Sequence, residues 1–159
     1  DHAMIRFQTA TVNDVEKLSQ LVNSAYRGDY SKQGWTTEAD YLEGQRTDPK
    51  LLTEVIQKTF NQIEMALDEN GKTVGCVHIQ EERPETLYFG MLTIEPVLQG
   101  KGLGKILLDH VEHIAHTRGL KKIRMVVISF RTELINFYER RGFRATGKSE
   151  DFHIDPKFG

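Results

Sequence analysis

Three glycines in five residues, Gly100, Gly102 and Gly104, separate an almost unbroken apolar run, Leu87 to Ile94, from the clearest amphipathic stretch of the chain. The run is apolar on both alternating faces, so it predicts a central strand covered on each side. Pro96 stops it. After the glycines, Leu103, Ile106, Leu107, Val111 and Ile114 recur at spacings of three and four, while Lys105, Asp109, Glu112 and His116 fall opposite. That is one apolar stripe on a helix. A buried strand must therefore pass into a helix through a turn whose glycines let successive N–H groups converge and let a ligand approach the main chain. The helix dipole at that point favours an anion. A diphosphate suits such a site, and Lys101 and Lys105 add positive charge to it.

Shorter patterns place the remaining elements. Ile5-Arg6-Phe7 alternates like a strand, and Thr11-Val12-Asn13-Asp14 reads as a capping box opening a helix through Val15, Leu18, Leu21, Val22 and Ala25 that Gly28 ends. Thr36 or Thr37 caps a short helix through Leu42. Asp48-Pro49 starts another, with Leu51, Leu52, Val55 and Ile56 on its apolar side. Ile63, Met65 and Leu67 alternate with polar or small residues, Asn70-Gly71 supplies the positive backbone angles of a hairpin turn, and Thr73 to Gln80 resumes the strand pattern. Gly119 caps the long helix. Ile123 to Ile128 then reads as a buried strand, Leu134 to Arg140 as a short helix and Phe143 to Thr146 as the start of a final strand. This order predicts an α/β (α+β) fold with a mixed, mainly antiparallel central sheet of six to seven strands flanked by helices.

Bulk properties exclude several classes. The length of 159 residues suits one domain, expected over 4–159, with Asp1-His2-Ala3 before Met4 read as an expression-tag remnant. A formal charge of −2 provides no global basic field for nucleic acid or anionic lipid, and no stretch approaches a membrane span. No nucleic-acid or membrane partner is expected. The single cysteine, Cys76, excludes an intrachain disulfide framework; with no signal peptide, a cytoplasmic setting is expected.

Spacing discriminates among glycine-rich phosphate loops. A Walker loop needs glycine where this chain has Gln99, and Ser or Thr where it has Ile106. A dinucleotide fingerprint starting at Gly100 needs glycine where Lys105 stands, and no alternation of parallel strand and helix supports it. Gln99, Gly102 and Gly104 match instead the loop Q/R-x-x-G-x-G/A of the GNAT superfamily of acyl-CoA-dependent N-acyltransferases, which the chain resembles in element order from Met4 to about Phe152. The resemblance implies acetyl-CoA as acetyl donor, with its pyrophosphate on Gln99, Gly100, Lys101, Gly102, Leu103, Gly104 and Lys105. It also implies that the pantetheine arm lies on the backbone of Leu92, Thr93 and Ile94.

A second motif agrees. Arg131 to Phe143, R-T-E-L-I-N-F-Y-E-R-R-G-F, is similar to the family's N-x-x-A-x-x-F/L-Y-x-x-x-G-F helix, with Arg131 and Leu134 at its Asn and Ala positions. Tyr138 is the matching tyrosine. By resemblance it is the acid that protonates the departing coenzyme A sulfur; aromatics at helical spacing also serve simply as core. Arg131 either contacts the cofactor's phosphate or pantetheine, or only solvates a helix start.

The implied function is an N-acetyltransferase that moves an acetyl group to a primary amine of a small molecule or peptide by direct attack in a ternary complex. The alternative is a non-catalytic acetyl-CoA-binding sensor or partner-docking module. Residues do not single out a base. Tyr88 stands where some family members place a glutamate; Glu81, Glu82 and Glu95 flank the strands and His78 lies within one. Cys76 in an apolar strand reads as a core residue rather than an acyl carrier. His110 and His113 lie three apart on the long helix without a third ligand, so no metal is expected. Acceptor choice belongs to the segments around Tyr30 to Arg46 and Thr146 to Asp155, where Trp35 and Tyr41 either wall an acceptor or pin a short helix. Exposed late strands are compatible with a homodimer.

Overall fold

A computed structural model describes residues 4–32, 47–126, 132–145 and 151–154. In chain order the elements are β1 (Arg6–Thr9), α1 (Val15–Lys32), α2 (Pro49–Gln57), β2 (Asn61–Leu67), β3 (Thr73–Glu82), β4 (Thr86–Ile94), α3 (Leu103–Thr117), β5 (Lys122–Val126), α4 (Thr132–Arg140), β6 (Arg144–Ala145) and β7 (Asp151–Ile154). The strands form a sheet in the order β1-β2-β3-β4-β5-β7-β6. Among the described residues every neighbouring pair is antiparallel except β4 and β5, which run parallel. That exception follows from α3, a helical crossover that returns the chain to the edge it left.

Local chemistry sets the element ends. Thr11 Oγ1 accepts from Asn13 N at 3.2 Å and Asp14 Oδ2 accepts from Thr11 N at 2.8 Å, closing the capping box ahead of α1. Asp48 Oδ1 accepts from Leu51 N at 2.8 Å, with Pro49 in the first turn of α2. At the end of α3, Gly119 adopts φ 70 and Leu120 N donates to Ala115 O at 2.9 Å.

The sheet divides the core in two. On one face α3 lays Leu107, Leu108, Val111, Ile114 and Ala115 over Ala66, Val77, Ile79, Leu87, Phe89 and Ile123. On the other, Val15, Leu18 and Val22 of α1 and Leu52 of α2 cover Ile63, Met65, Leu67 and Cys76. Each aliphatic side chain buried here contributes about 1.5–3 kcal/mol against leaving it in water.

Four expectations change in detail. Helix α1 runs through Gly28 to Lys32, because one internal glycine costs only about 1 kcal/mol, too little to stop a helix. The β2–β3 connection is not a two-residue turn. Leu67 pairs with Thr73, and Asp68 Oδ1 accepts from the N–H groups of Asn70 and Lys72 at 2.8 and 3.0 Å, so among the turn residues only Gly71 needs positive φ. Leu51 sits 48% exposed on α2 rather than on its buried side. After Phe143, which is core, β6 holds only Arg144–Ala145, and β7 inserts between it and β5. The expected helix through Leu42, Trp35, Tyr41 and the strand positions past Val126 lie outside the described residues.

Candidate active site

The parallel ladder between β4 and β5 ends early. It pairs Thr86 with Lys122, Leu87 with Ile123 and Tyr88 with Arg124, although β4 continues to Ile94 and β5 to Val126. From Phe89 onward the β5-facing edge of β4 has no strand beside it among the described residues, so its N–H and C=O groups form a template for an extended ligand. Leu92, Thr93 and Ile94 lie on this stretch.

On the opposite edge, β3 and β4 slip register. Cys76 pairs with Thr93 and His78 with Gly90, so Val77 alone faces both Met91 and Leu92, and Met91 adopts φ 52. The slip sets two residues of β4 against one of β3, which interrupts the ladder and bends β4 at this point. Thr93 Oγ1 donates to Met91 O at 3.0 Å across the bulge, and Thr93 is itself buried.

Strand β4 passes through a 3-10 turn, Pro96–Leu98, into the glycine loop. Gly100 has φ 81, and Gly102, the residue capping α3, has φ 87. A side chain at either would be strained. Gly102 brings no side-chain cap and the first turn of α3 carries no acidic residue, so the leading amides of the helix are open to an anion. At Gly104 a Cβ would lie 3.4 Å from Ile94 Cδ1 and 3.9 Å from Phe137 Cζ, ordinary contact that leaves room for a methyl but not for a larger side chain. Gln99 Nε2 donates to Ile94 O at 3.2 Å and ties the loop to the end of β4. Leu103 is buried, so it can offer only its backbone. Lys105 Nζ pairs with Asp109 Oδ2 at 3.0 Å on the exposed side of the helix.

Helix α4 closes the site. Phe137 reaches Gly104, and the ring of Tyr138 packs edge-on to Phe137 and Phe143 at 5.1 and 5.9 Å between centroids. Phe143 meets Phe89 of β4 at 6.0 Å, one residue beyond the end of the β4–β5 ladder. Tyr138 therefore belongs to the core, with Phe143 linking its ring to Phe89 of β4. Burial pushes its phenol pKa up, so the hydroxyl stays protonated across the ordinary pH range. Arg131 lies outside the described residues.

Other candidates separate from this centre. The thiol of Cys76 is fully buried among apolar side chains, which pushes its pKa up to about 12. His110 packs flat on Phe7 at 3.7 Å and bonds Glu64, while Glu95 pairs with Lys72 at 2.8 Å. Among the described residues no group of three or more His, Cys, Asp or Glu side chains could hold a metal ion. No helix among them is long and apolar enough to cross a membrane. Residue spacing did not reveal the Met91 bulge, nor the bond from His78 Nε2 to Asn61 Oδ1 at 2.7 Å, because both depend on strand register.

Comparison with known proteins shows the same fold elsewhere. The crystal structure of PaiA N-acetyltransferase from Thermoplasma acidophilum in complex with coenzyme A superposes with a TM-score of 0.73 at 18% identity, covering 97% of this chain and 99% of that one. A spermidine N-acetyltransferase SpeG mutant from Vibrio cholerae gives 0.70 at 15% identity, covering 97% and 95%. Peptidyl-lysine N-acetyltransferase YjaB of Salmonella typhimurium is 28% identical over 86 residues, 54% of this chain and 52% of that protein. The chain spans about half the length of the first curated relatives it matches. The family model described as an acetyltransferase (GNAT) domain matches residues 26–153, and the chain belongs to that family.

Proposed function

We propose that this chain, read as a single domain over 4–159, transfers an acetyl group from acetyl-CoA to a primary amine by direct attack in a ternary complex. The observation that carries the reading is the edge of β4 beyond Tyr88, which has no neighbouring strand among the described residues and runs through the Met91 bulge to an α3 N-terminus without a side-chain cap. The pantetheine arm extends β4 along Leu92, Thr93 and Ile94, and the pyrophosphate rests on the loop from Gln99 to Lys105. Arg131 is kept as a further cofactor contact on the resemblance alone.

Each part then has a defined task. The bulged amide polarises the thioester carbonyl, the loop holds the donor in register, and Tyr138 supplies a proton to the leaving sulfur. For the acceptor, the names of the Salmonella and Vibrio proteins favour two amine classes, a lysine side chain of a protein and a polyamine. A reducing cytoplasm suits the one buried thiol.

Thermal melts with acetyl-CoA, CoA, NAD and ATP side by side test the reading. At a ligand concentration a hundred times Kd, binding to the folded state adds about 2.7 kcal/mol. For a domain of this size that raises Tm by roughly 5–10 °C. A rise confined to the two coenzyme A species is expected, followed by thiol release with spermidine or a lysine peptide. No rise with either at millimolar concentration overturns the proposal. Gly104→Val should abolish the rise, because the added methyls must enter space held by Ile94 and Phe137 or by the diphosphate. Cys76→Ala should leave kcat within about twofold, since an inert thiol carries no acetyl group; a kcat that collapses in that variant would revive a two-step mechanism.

A further inference from the structure

His78 lies on β3 directly across from Gly90 of β4, the residue preceding the bulge, and across from Ile63 of β2. Directly opposed residues share a face of the sheet. Ile63 belongs to the cluster under α1 and α2, so His78 projects to that side, away from α3. Gly90 lacks a side chain there, and the Tyr88 phenol fills the space. A Cβ on it would meet Tyr88 Oη at 2.6 Å, and the ring of Tyr88 stands edge-on to His78 at 6.2 Å between centroids. Tyr88 is held in turn by Arg124, whose guanidinium lies 4.7 Å over its ring and reaches both carboxylate oxygens of Glu82 at 3.0 and 2.8 Å.

One hydrogen bond assigns the tautomer. Asn61 Nδ2 donates to Thr59 O at 2.9 Å, which orients the amide so that its Oδ1 faces His78 Nε2 at 2.7 Å. An amide oxygen only accepts, so Nε2 carries the hydrogen and the lone pair of the neutral ring sits on Nδ1. Among the described residues nothing donates to Nδ1. Lys58 is the charged group whose field acts on the ring, and Tyr88 is the ionisable side chain packed against it; the Glu82–Arg124 pair lies beyond Tyr88. Burial first, and Lys58 second, pull the imidazole below its ordinary pKa and keep it neutral.

We propose that His78 is the general base of the reaction, its Nδ1 accepting the proton of the acceptor amine directly or through one water. This rests on the acetyltransferase reading and deepens it. The amine nitrogen forms its bond to the acetyl carbon and gives one proton to Nδ1; the carbon–sulfur bond breaks and the sulfur takes a proton from Tyr138. Imidazolium and phenolate then return to their starting states by proton exchange with water, so the cycle leaves one amide and one thiol. Asn61 is a positioning residue, because it aims the lone pair without touching the substrate.

His78→Gln separates the base from its structural bond, since the glutamine amide can still donate to Asn61 while offering no basic nitrogen. With spermidine or the lysine peptide as acceptor, kcat/KM at neutral pH should fall roughly a hundredfold. The acid limb of the wild-type pH profile, expected below the ordinary histidine range, should disappear, while the acetyl-CoA rise in Tm persists. Retention of kcat/KM within threefold, with the limb unchanged, overturns the proposal. Nitrogen-15 NMR of the histidine rings, with no acceptor present, should show His78 as the neutral Nε2–H tautomer near pH 7; an Nδ1–H or doubly protonated ring overturns it independently. Loss of the acetyl-CoA rise in wild type is a different failure, that of the acetyltransferase reading.

Discussion

Tyr138→Phe is expected to lower kcat roughly a hundredfold, at the lower end of what one positioned acid or base contributes. The acetyl-CoA rise in Tm should stay within about 1 °C of wild type. The substitution removes one oxygen and keeps the ring, so the edge-on contacts with Phe137 and Phe143 survive and the fold is spared. Burial holds the phenol in its protonated form in the free protein, which is the form an acid must have before turnover. A low-polarity wall also favours a neutral thiol over a bare thiolate as leaving group, so proton donation matters more there than in water. Steady-state thiol release checks the rate, and thermal melts with and without acetyl-CoA check binding. Unchanged kcat would confine Tyr138 to the aromatic core between α4 and β4.

Glu64→Ala is expected to destabilise the fold more than any of the substitutions at the active site. Glu64 is 4% exposed at the middle of β2, on the face that α3 covers, and its carboxylate gathers three donors. Thr9 Oγ1 from β1 reaches it at 2.5 Å, Gln62 Nε2 at 2.7 Å and His110 Nε2 from α3 at 2.7 Å. His110 is stacked on Phe7 with 5° between ring planes, so the network ties α3 to β1 and β2 together. Burial by itself would raise the carboxyl pKa, but the bonds from His110, Thr9 and Gln62 outweigh it and hold the group below its usual range. Truncation leaves these donors facing a cavity, a loss of about 3 kcal/mol that corresponds to a fall in Tm of roughly 6–12 °C.

The same network sets a pH dependence with a definite sign. Because the folded pKa lies below the reference value of 4.5, the stabilisation is fully present above about pH 4.5 and fades as pH falls through the folded value. The Tm gap between wild type and Glu64→Ala should therefore be widest near neutral pH and narrow in acid. An equal gap at pH 7 and pH 3.5 would reduce Glu64 to a packing residue.

Features carried by a few adjacent residues are legible in the amino-acid order alone. Thr11 with Asp14, and Asp48 with Pro49, close their hydrogen bonds within one turn, so the helix starts appear where the residues stand. The glycine loop is the same kind of feature: the residues present permit positive φ at Gly100 and Gly102, and glycine at the head of α3 brings no side-chain cap. These local patterns, together with the resemblance of the loop and of the Tyr138 helix to one family, point to the fold. Gly28 and Asn70-Gly71 mislead in detail because a glycine permits a stop or a tight turn without compelling either.

What depends on register is not legible in that order. The bulge at Met91 exists because β3 and β4 slip by one residue between Cys76 and His78, and no pattern within β4 announces it. Glu64 alternates with Ile63 and Met65 like a solvent-facing residue, yet α3 buries it; His78 gains a fixed tautomer only because Asn61, 17 residues earlier, is its neighbour. Where the chain turns, which helices begin and where an anion can rest are written in short runs of residues, because backbone geometry and nearest-neighbour hydrogen bonds act over that range. Which stretch of β4 lacks a neighbouring strand among the described residues, where β4 bulges and which nitrogen of His78 keeps its lone pair come from the folded arrangement, since each is settled by contacts between strands distant along the chain.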